Sequence, residues 1–202
     1  MSHYFENDMD LKHDPHELRF EINQKEYCLK TDAGVFSKDR LDTGTRLLLE
    51  TLLEKEKDPV TTLDLGCGIG PVGIVLKDQW NTQMTMIDIN QRAVDLASAN
   101  LKRYAVYADL FCQDGIQEGQ YACIVFNPPI RAGKKVIYRL FQEAVDHLRR
   151  EGRLWVVMRK QHGAQSAIQY LESLGCSVKK VNRGKGFWIF TAQKKSTESS
   201  KD

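Results

Sequence analysis

Hydrophobic residues recur along the chain either at every second position, as in strands, or at every third or fourth position, as in helices. The places where one spacing gives way to the other predict the strands and helices. Residues 17–29 alternate with a period of two on either side of a turn at Asn23-Gln24, which is typical of a β-hairpin. Leucines spaced along residues 44–54 predict an amphipathic helix. From Val60 onward, short apolar runs alternate with helix-like segments, which indicates a parallel sheet with crossover helices.

The segments after Val60 predict the fold class. The predicted strands cover residues 61–65, 83–87, 108–112, 121–126, 152–158, 176–181 and 186–193, and the predicted helices cover 71–79, 91–103, 134–149 and 164–173. The turn Gly184-Lys185-Gly186 makes the last strand antiparallel to the one before it. We therefore expect an α/β fold: a Rossmann-like, seven-stranded, mostly parallel sheet with helices on both faces and an N-terminal β-hairpin.

Composition limits the class of protein and the number of domains. Of the 202 residues, 42% are hydrophobic and 28% are charged, as in ordinary globular proteins, and no apolar run is long enough to cross a bilayer. Residues 1–15 are polar without a secretory signal and predict a flexible leader, while residues 196–202 predict a disordered tail. We expect one domain at 16–195 and a cytoplasmic location.

The cysteines and the charge exclude some kinds of site. The five cysteines are scattered without a C-x-x-C pair, so we expect reduced thiols and no metal. The formal net charge is only +2, but basic residues are concentrated in the second half of the chain. If they flank a crevice they can bind a phosphate backbone, whereas singly they are ordinary surface residues.

A glycine-rich turn follows the first predicted strand of the sheet. Residues 64–71 read D-L-G-C-G-I-G-P, with Gly66, Gly68 and Gly70 at alternate positions. This spacing is neither the G-x-G-x-x-G of dinucleotide sites nor the phosphate-binding G-x-x-x-x-G-K-[ST]. Asp64 would repel a pyrophosphate but attract a cation, directly or through water. The alternative is a tight strand-to-helix connection without a ligand.

The turn resembles motif I of the class I S-adenosylmethionine-dependent methyltransferases, which implies S-adenosyl-L-methionine as the cofactor. Asp88 ends the next strand and is expected to hold two ribose hydroxyls, since Asn90 is better placed to cap the following helix. Asp114 follows the third strand, where the resembled family binds the adenine amino group, whereas Asp109 would fall early in that strand. The residues expected to bind the cofactor are Asp64, Gly66, Cys67, Gly68, Gly70, Asp88, Ile89, Asp114, Gly115 and Asn127.

A second motif follows the strand at 121–126. Asn127-Pro128-Pro129 is stiff, because each proline fixes its own φ and restricts the residue before it. A side-chain carbonyl and a backbone carbonyl held there can accept both hydrogens of a planar amine and aim its nitrogen at a methyl donor. The sequence N-P-P-I resembles motif IV of methyltransferases that act on exocyclic or amide nitrogens, so Asn127, Pro128 and Pro129 are the predicted catalytic residues. The alternative is a loop that simply leaves a strand.

Further motifs resemble the "methyltransferase small" group and, within it, bacterial 16S ribosomal RNA guanine-N2 methyltransferases, in a form without an extra N-terminal half-domain. These motifs are G-V-F-S at 34–37, D-T-G-T at 42–45 and N-P-P-I-R-A-G-K at 127–134. The resemblance implies ribosomal RNA or the small ribosomal subunit as partner, with a monomer favoured. Many relatives place an aromatic residue where this chain has Ile130. The expected substrate-binding residues are Ile130, Arg131, Lys134 and Phe36, with Tyr138 as another aromatic candidate. The alternatives are that Phe36 belongs to the core and that Lys134 and Lys135 only begin the next helix.

Two other functions remain open at this point. N-P-P loops also serve transfer to a protein glutamine or to adenine, although those relatives usually end the motif in Tyr or Phe. A non-catalytic RNA-binding assembly factor that retains the fold is the third hypothesis. The presence of Asp64, Asp88 and Asn127 favours an enzyme over such a factor.

Overall fold

The computed structural model describes residues 14–33, 35 and 40–195. The predicted leader up to residue 13, the predicted tail at 196–202, Phe36 and most of the G-V-F-S motif lie outside the described residues. The strands are β1 (His16–Ile22), β2 (Lys25–Thr31), β3 (Thr61–Leu65), β4 (Gln83–Asp88), β5 (Asp109–Cys112), β6 (Tyr121–Phe126), β7 (Leu148–Arg159), β8 (Cys176–Gly184) and β9 (Phe187–Lys194). The helices are α1 (Thr43–Lys55), α2 (Pro71–Gln79), α3 (Gln91–Arg103), α4 (Lys134–Asp146) and α5 (Ala164–Ser173).

Seven strands form one sheet in the order β5-β4-β3-β6-β7-β9-β8. The first five are parallel to one another, and β9 is antiparallel to both β7 and β8. All five residues of β3 are buried, as expected for a central strand covered on both faces. The predicted fold class is confirmed.

The sheet separates two apolar layers. Residues of α1 and α2 pack on one face together with Met84 and Trp155 of the sheet. Residues of α4 and α5 pack on the other face against Leu63, Leu65 and Phe126. Successive residues of a strand point to opposite faces, so β3 sends its leucines towards α4 and α5 and sends Asp64 towards α2.

The N-terminal hairpin of β1 and β2 covers the α1–α3 layer. Its inward residues Leu18, Ile22 and Leu29 are buried in that layer. Asn23 and Gln24 both have positive φ, as a tight two-residue hairpin turn requires. The predicted hairpin is therefore present, and its inner face belongs to the core.

The boundary between α4 and β7 differs from the sequence-based expectation of a helix to residue 149 and a strand from 152. The helix ends at Asp146, and β7 begins at Leu148 with a register shift against β6. A Cβ on Gly152 would lie 2.7 Å from the carbonyl oxygen of Tyr121, so this glycine allows the close approach of β6 and does not end a helix.

All five cysteines are free thiols, and Cys67, Cys123 and Cys176 are buried. Across the described ranges, no helix combines the length and the apolar character that a membrane span needs.

Candidate functional site

Three adjacent parallel strands end at one edge of the sheet, and each is followed by a predicted site residue. Leu65 of β3 pairs with Ile87 of β4 on one side and with Phe126 of β6 on the other. The glycine turn, Asp88 and Asn127 come directly after these positions. Because carboxyl ends of parallel strands share an edge, the structure brings the two sequence motifs together there.

The glycine turn has an open surface where a ligand can approach. Gly66 and Gly68 have φ values of 71° and 55°, in the left-handed region that favours glycine. A Cβ built on Gly68 would have no atom within 4 Å, and one on Gly66 would meet only Phe126, at 4.0 Å. The exposed backbone at these two glycines forms a surface, called the cradle below, that a side chain at either position would cover.

Gly70 and Gly73 serve a different purpose, which is close packing of α2 on β4. A Cβ would lie 2.9 Å from Met86 Cε at Gly70 and 2.6 Å from Met86 Sδ at Gly73. Gly70 is therefore placed under the turn and away from its open surface. Pro71 occupies the first turn of α2, as predicted.

Asp64 is buried beneath the turn. Its Oδ2 accepts a hydrogen bond from the backbone N–H of Gly73 at 2.8 Å, in the first turn of α2. Burial, with a smaller contribution from the charge of Asp88, raises its pKa to about 7 even though the Gly73 bond opposes this shift. The carboxyl thus ties β3 to α2, and it changes charge near neutral pH.

Asp88 holds the turn from the side of β4. Its Oδ2 accepts from the N–H of Gly68 and its Oδ1 accepts from the N–H of Asn90, each at 2.8 Å. Burial raises the pKa of this carboxyl, against these backbone bonds. The Asn90 side chain caps α3 by accepting from the N–H groups of Arg92 and Ala93, as predicted, while half-buried Ile89 lies between the two.

Asp114 and Gly115 lie in the connection from β5 to β6. Asp114 is about half exposed and forms an ion pair of 2.6 Å with Arg139 of α4. A Cβ on Gly115 would collide with the carboxylate of Glu143, which also accepts from the N–H of Ile116 at 3.0 Å. Both residues are thus held against α4.

Asn127 is oriented by the first turn of α1. Its Nδ2 donates to Thr45 Oγ1 at 3.0 Å and, more weakly, to Asp42 Oδ2 at 3.5 Å. Asp42 is also the N-cap of α1, since its Oδ2 accepts from the N–H of Thr45 at 3.0 Å. With Nδ2 bonded to α1, the Oδ1 carbonyl is the group of Asn127 that is left to accept from a ligand.

The residues after Asn127 lead outwards. Pro128 is buried, Pro129 is half-buried, and Ile130 is 39% exposed in a short 3₁₀ turn. Arg131 and Lys134 are exposed, and Gly133 with a φ of 87° begins the turn into α4. The loop therefore changes from an apolar support to a cationic surface within a few residues.

Two further supports of the site, at Asn100 and Gly44, were also not predicted from the sequence. Asn100 of α3 is fully buried, and its amide donates to the carbonyl oxygens of Lys30 and Ile69, both at 3.0 Å. It joins the hairpin to the glycine turn. Gly44 brings α1 so close to β9 that a Cβ would lie 2.7 Å from the ring of Phe187. An Asn in a helical stretch and a glycine after an N-cap are the only sequence signals for these roles.

Cys67 is buried in the turn, and its burial raises the pKa of the thiol well above its usual range, so it is unsuited to metal binding or nucleophilic attack. Among the described residues, no group of three His, Cys, Asp or Glu side chains is placed to hold a metal ion.

Comparisons with known proteins give the following matches. The sequence profile of the Methyltransferase small domain family matches residues 26–191. An uncharacterized Bacillus subtilis protein, YbxB, is 38% identical over an alignment of 200 residues that covers 95% of this chain and 98% of YbxB.

Other matches are to parts of longer proteins. Ribosomal RNA small subunit methyltransferase C of Haemophilus influenzae is 39% identical over an alignment of 131 residues that covers 61% of this chain and 39% of that enzyme. Among solved structures, the 16S rRNA N2 G1207 methyltransferase of T. thermophilus, in complex with AdoMet and guanosine, has a TM-score of 0.78 at 21% identity, over 90% of this chain and 51% of that one. This chain thus spans about half or less of these two enzymes.

Proposed function

The chain belongs to the methyltransferase small domain family, and from this premise we propose that it transfers a methyl group from S-adenosyl-L-methionine to the exocyclic N2 amine of a guanine in 16S ribosomal RNA. The family match confirms the predicted family and, with it, the predicted methyl donor S-adenosyl-L-methionine. The target base, the ribosomal partner and the roles of individual residues are the content of the proposal.

The fixed amide of Asn127 is the observation that supports this function best. Because Thr45 holds Nδ2 at 3.0 Å, the side-chain carbonyl is an acceptor in a defined position. In the proposal it accepts one hydrogen of the planar amine, and the backbone carbonyl of Pro128 accepts the other. An amine bound through both hydrogens presents its nitrogen lone pair in one direction only.

The donor side supports the same reaction. When bound, S-adenosyl-L-methionine supplies a methyl group on a cationic sulfur that leaves as a neutral thioether. We assign its cradle to Gly66, Cys67 and Gly68, where the backbone is open, and its ribose hydroxyls to Asp88. Asp88 would exchange its bond with the Gly68 N–H for bonds to these hydroxyls.

The remaining assignments follow the edge of the sheet. Ile89, Asp114 and Gly115 are proposed to line the adenine slot. Gly70 acts by packing, and buried Asp64 acts on the sulfonium through its charge and not by contact. Positioning is the main source of rate in such a transfer, and effective molarities can lower the barrier by about 7 to 11 kcal/mol.

The acceptor side would bind the nucleotide around the N-P-P-I loop. Ile130 is exposed beside Asn127 and is proposed to contact the base by aliphatic packing, with Arg131 and Lys134 near the RNA backbone. Tyr138 already stacks on Tyr170, with ring centroids 4.2 Å apart, so it is a poor candidate for stacking on the base. Phe36 remains a prediction because it lies outside the described residues.

The decisive experiment is to incubate the purified protein and labelled S-adenosyl-L-methionine with small ribosomal subunits from a strain that lacks the gene. We expect the label in 2-methylguanosine after nucleoside analysis, and no label with Asn127→Ala. Label only in methyladenosine or only in protein would contradict the proposal and support one of the two alternative acceptors. Donor binding without any transfer would support an assembly factor.

A further inference from the structure

Exposed cations without an ionic partner are concentrated near one side of the candidate site. Residues 159–185 contain six Lys or Arg residues and a single acidic residue, Glu172. None of the six takes part in an ion pair among the described residues. Cations on the hairpin side are mostly paired, as Lys25 is with Asp78 and Arg103 with Glu17.

Several of these cations surround a single aromatic ring. The Nζ of Lys180 lies 3.8 Å from the centroid of the Trp188 ring, and the Nζ of Lys160 lies 5.9 Å from it. Arg183 is directly opposite Trp188 in the antiparallel β8–β9 pair, and directly opposite residues point to the same face. Trp188 packs against the α4–α5 layer, which places the whole cluster on that face of the sheet.

A second lysine and aromatic cluster on the same face begins at the N-P-P-I loop. Lys134 lies 4.9 Å from the ring centroid of Tyr138, which stacks on Tyr170 of α5. Lys134 and Lys135 begin α4, where the helix dipole disfavours positive charge, so helix stability does not account for them. The acidic residues of α4 and α5 lie in the last turns, at Glu143, Asp146 and Glu172.

The two clusters are neighbours in the fold. Lys134 follows the carboxyl end of β6 and Lys160 follows that of β7, and these strands are paired. Helix α5 carries Tyr170 of one cluster, and its Gln165 accepts a hydrogen bond from Lys180 of the other at 3.3 Å. Ammonium groups beside aromatic rings are a chemistry that suits an RNA strand, because the lysines can bind its phosphates while the rings hold the lysines in place and offer apolar contact next to them.

We propose that the RNA strand flanking the target nucleotide runs over the α4–α5 face, across the lysine–aromatic surface formed by Lys134, Tyr138, Tyr170, Lys160, Lys180 and Trp188. This inference rests on the proposed function, because it takes the RNA to be the methyl acceptor. It adds the direction in which the RNA leaves the N-P-P-I loop, away from the hairpin and α3.

Charge reversal distinguishes this face from the rest of the molecule. The test variant is Lys160→Glu/Lys180→Glu. The matched control is Lys30→Glu/Lys57→Glu, which changes two exposed lysines outside this surface by the same charge. Affinity for a 16S ribosomal RNA transcript is measured between 50 and 200 mM salt, with thermal unfolding and donor binding by calorimetry as checks on the fold.

We expect the test variant to bind the transcript at least about tenfold more weakly, with a salt slope lower by about two, because two phosphate contacts are lost. Donor affinity should not change, and the control should bind as the wild type does. Lys160→Arg/Lys180→Arg should restore binding because it keeps both charges.

Two results would overturn the surface proposal and leave the proposed function standing. One is a wild type that methylates RNA and a test variant that binds and methylates it as the control does. The other is a test variant that is normal on the bare transcript and defective only on small subunits, which would assign the surface to a ribosomal protein. If the wild type transfers no label to RNA, the proposed function itself is wrong.

Discussion

The donor side and the acceptor side of the crevice are held in place by different means. The glycine turn is bound by carboxylates that are close in sequence, with Asp64 nine residues from Gly73 and Asp88 twenty residues from Gly68. Asn127 is bound by Thr45, which is 82 residues away and belongs to a helix outside the strand–turn–helix unit. One side is a self-contained local motif, and the other depends on the docking of α1.

This difference predicts which properties each side controls. A local motif with its own hydrogen bonds is formed wherever its strand and helix are formed, so damage to it should change donor affinity. The acceptor loop needs a distant helix to fix one amide, so damage there should change the rate of transfer while the donor still binds. The two sides should therefore be separable by substitution.

The largest effect is expected for Asn127→Ala. Removing the acceptor for the amine should lower kcat by about 10³-fold, because one positioned hydrogen-bonding group in a transition state is commonly worth that much. Affinity for S-adenosyl-L-methionine by calorimetry should stay within about threefold, since the donor's cradle is intact. The complementary variant Asp88→Asn should lose donor affinity first. If both variants lost the same property, the crevice would act as one unit and the comparison would be wrong.

The donor side was easier to predict from the sequence than the acceptor side, because its hydrogen bonds are local and those of the acceptor side are not. The turn, its acid and the strand periods were predictable because the residues that act together are neighbours in the chain. The Thr45–Asn127 bond and the Arg139–Asp114 pair were not, since each joins elements whose relative placement only the folded sheet decides. The predicted boundary between α4 and β7 was wrong because Leu148 fits the helical pattern as well as it fits a strand. The pairing of β7 with β6 determines where the strand begins.

The next effect in size concerns the open surface of the glycine turn. Gly68→Ala adds a Cβ that meets no protein atom within 4 Å, so any collision is with the bound donor. We expect donor affinity to fall about a hundredfold and the free energy of unfolding to fall by about 1–2 kcal/mol, from the positive φ alone. Calorimetry and urea denaturation measure the two quantities.

Gly175→Ala is the matched control for this variant, because Gly175 also has a positive φ and open space but lies after α5. It should lose a similar amount of stability and keep its donor affinity. Equal donor affinities for the two variants would show that the donor does not lie against Gly68.

A smaller effect on the rate is expected when the hydrogen bond from Asn127 to Thr45 of α1 is removed. Thr45 is buried, and Thr45→Val keeps its shape while removing the hydroxyl that accepts from Asn127. We expect kcat to fall roughly tenfold to a hundredfold from misplacement of the amide, at a stability cost of about 1 kcal/mol. Thr45→Ser should recover most of the rate because it restores the hydroxyl. A loss that appears in KM for the donor would assign Thr45 to the donor side.

The smallest effects are expected from the buried charge of Asp64. Its pKa of about 7 lies above the ordinary value of 3.8, so the folded protein holds this proton more tightly than the unfolded chain. The resulting stabilisation is complete below pH 4 and is lost as the pH rises to 7. The free energy of unfolding of Asp64→Asn relative to that of the wild type should therefore rise by about 3 kcal/mol between pH 5 and pH 8, measured by urea denaturation at both values. A stability difference that is independent of pH would contradict this titration.

The same titration tests whether Asp64 also acts on the donor. As the pH rises from 6 to 8 the carboxyl becomes charged, and a negative charge beneath the turn attracts the cationic S-adenosyl-L-methionine but not the neutral S-adenosylhomocysteine. The ratio of their affinities should rise roughly threefold over this interval in the wild type, and it should stay constant in Asp64→Asn. A constant ratio in both proteins would show that Asp64 only joins β3 to α2 and that its charge does not contribute to binding the donor.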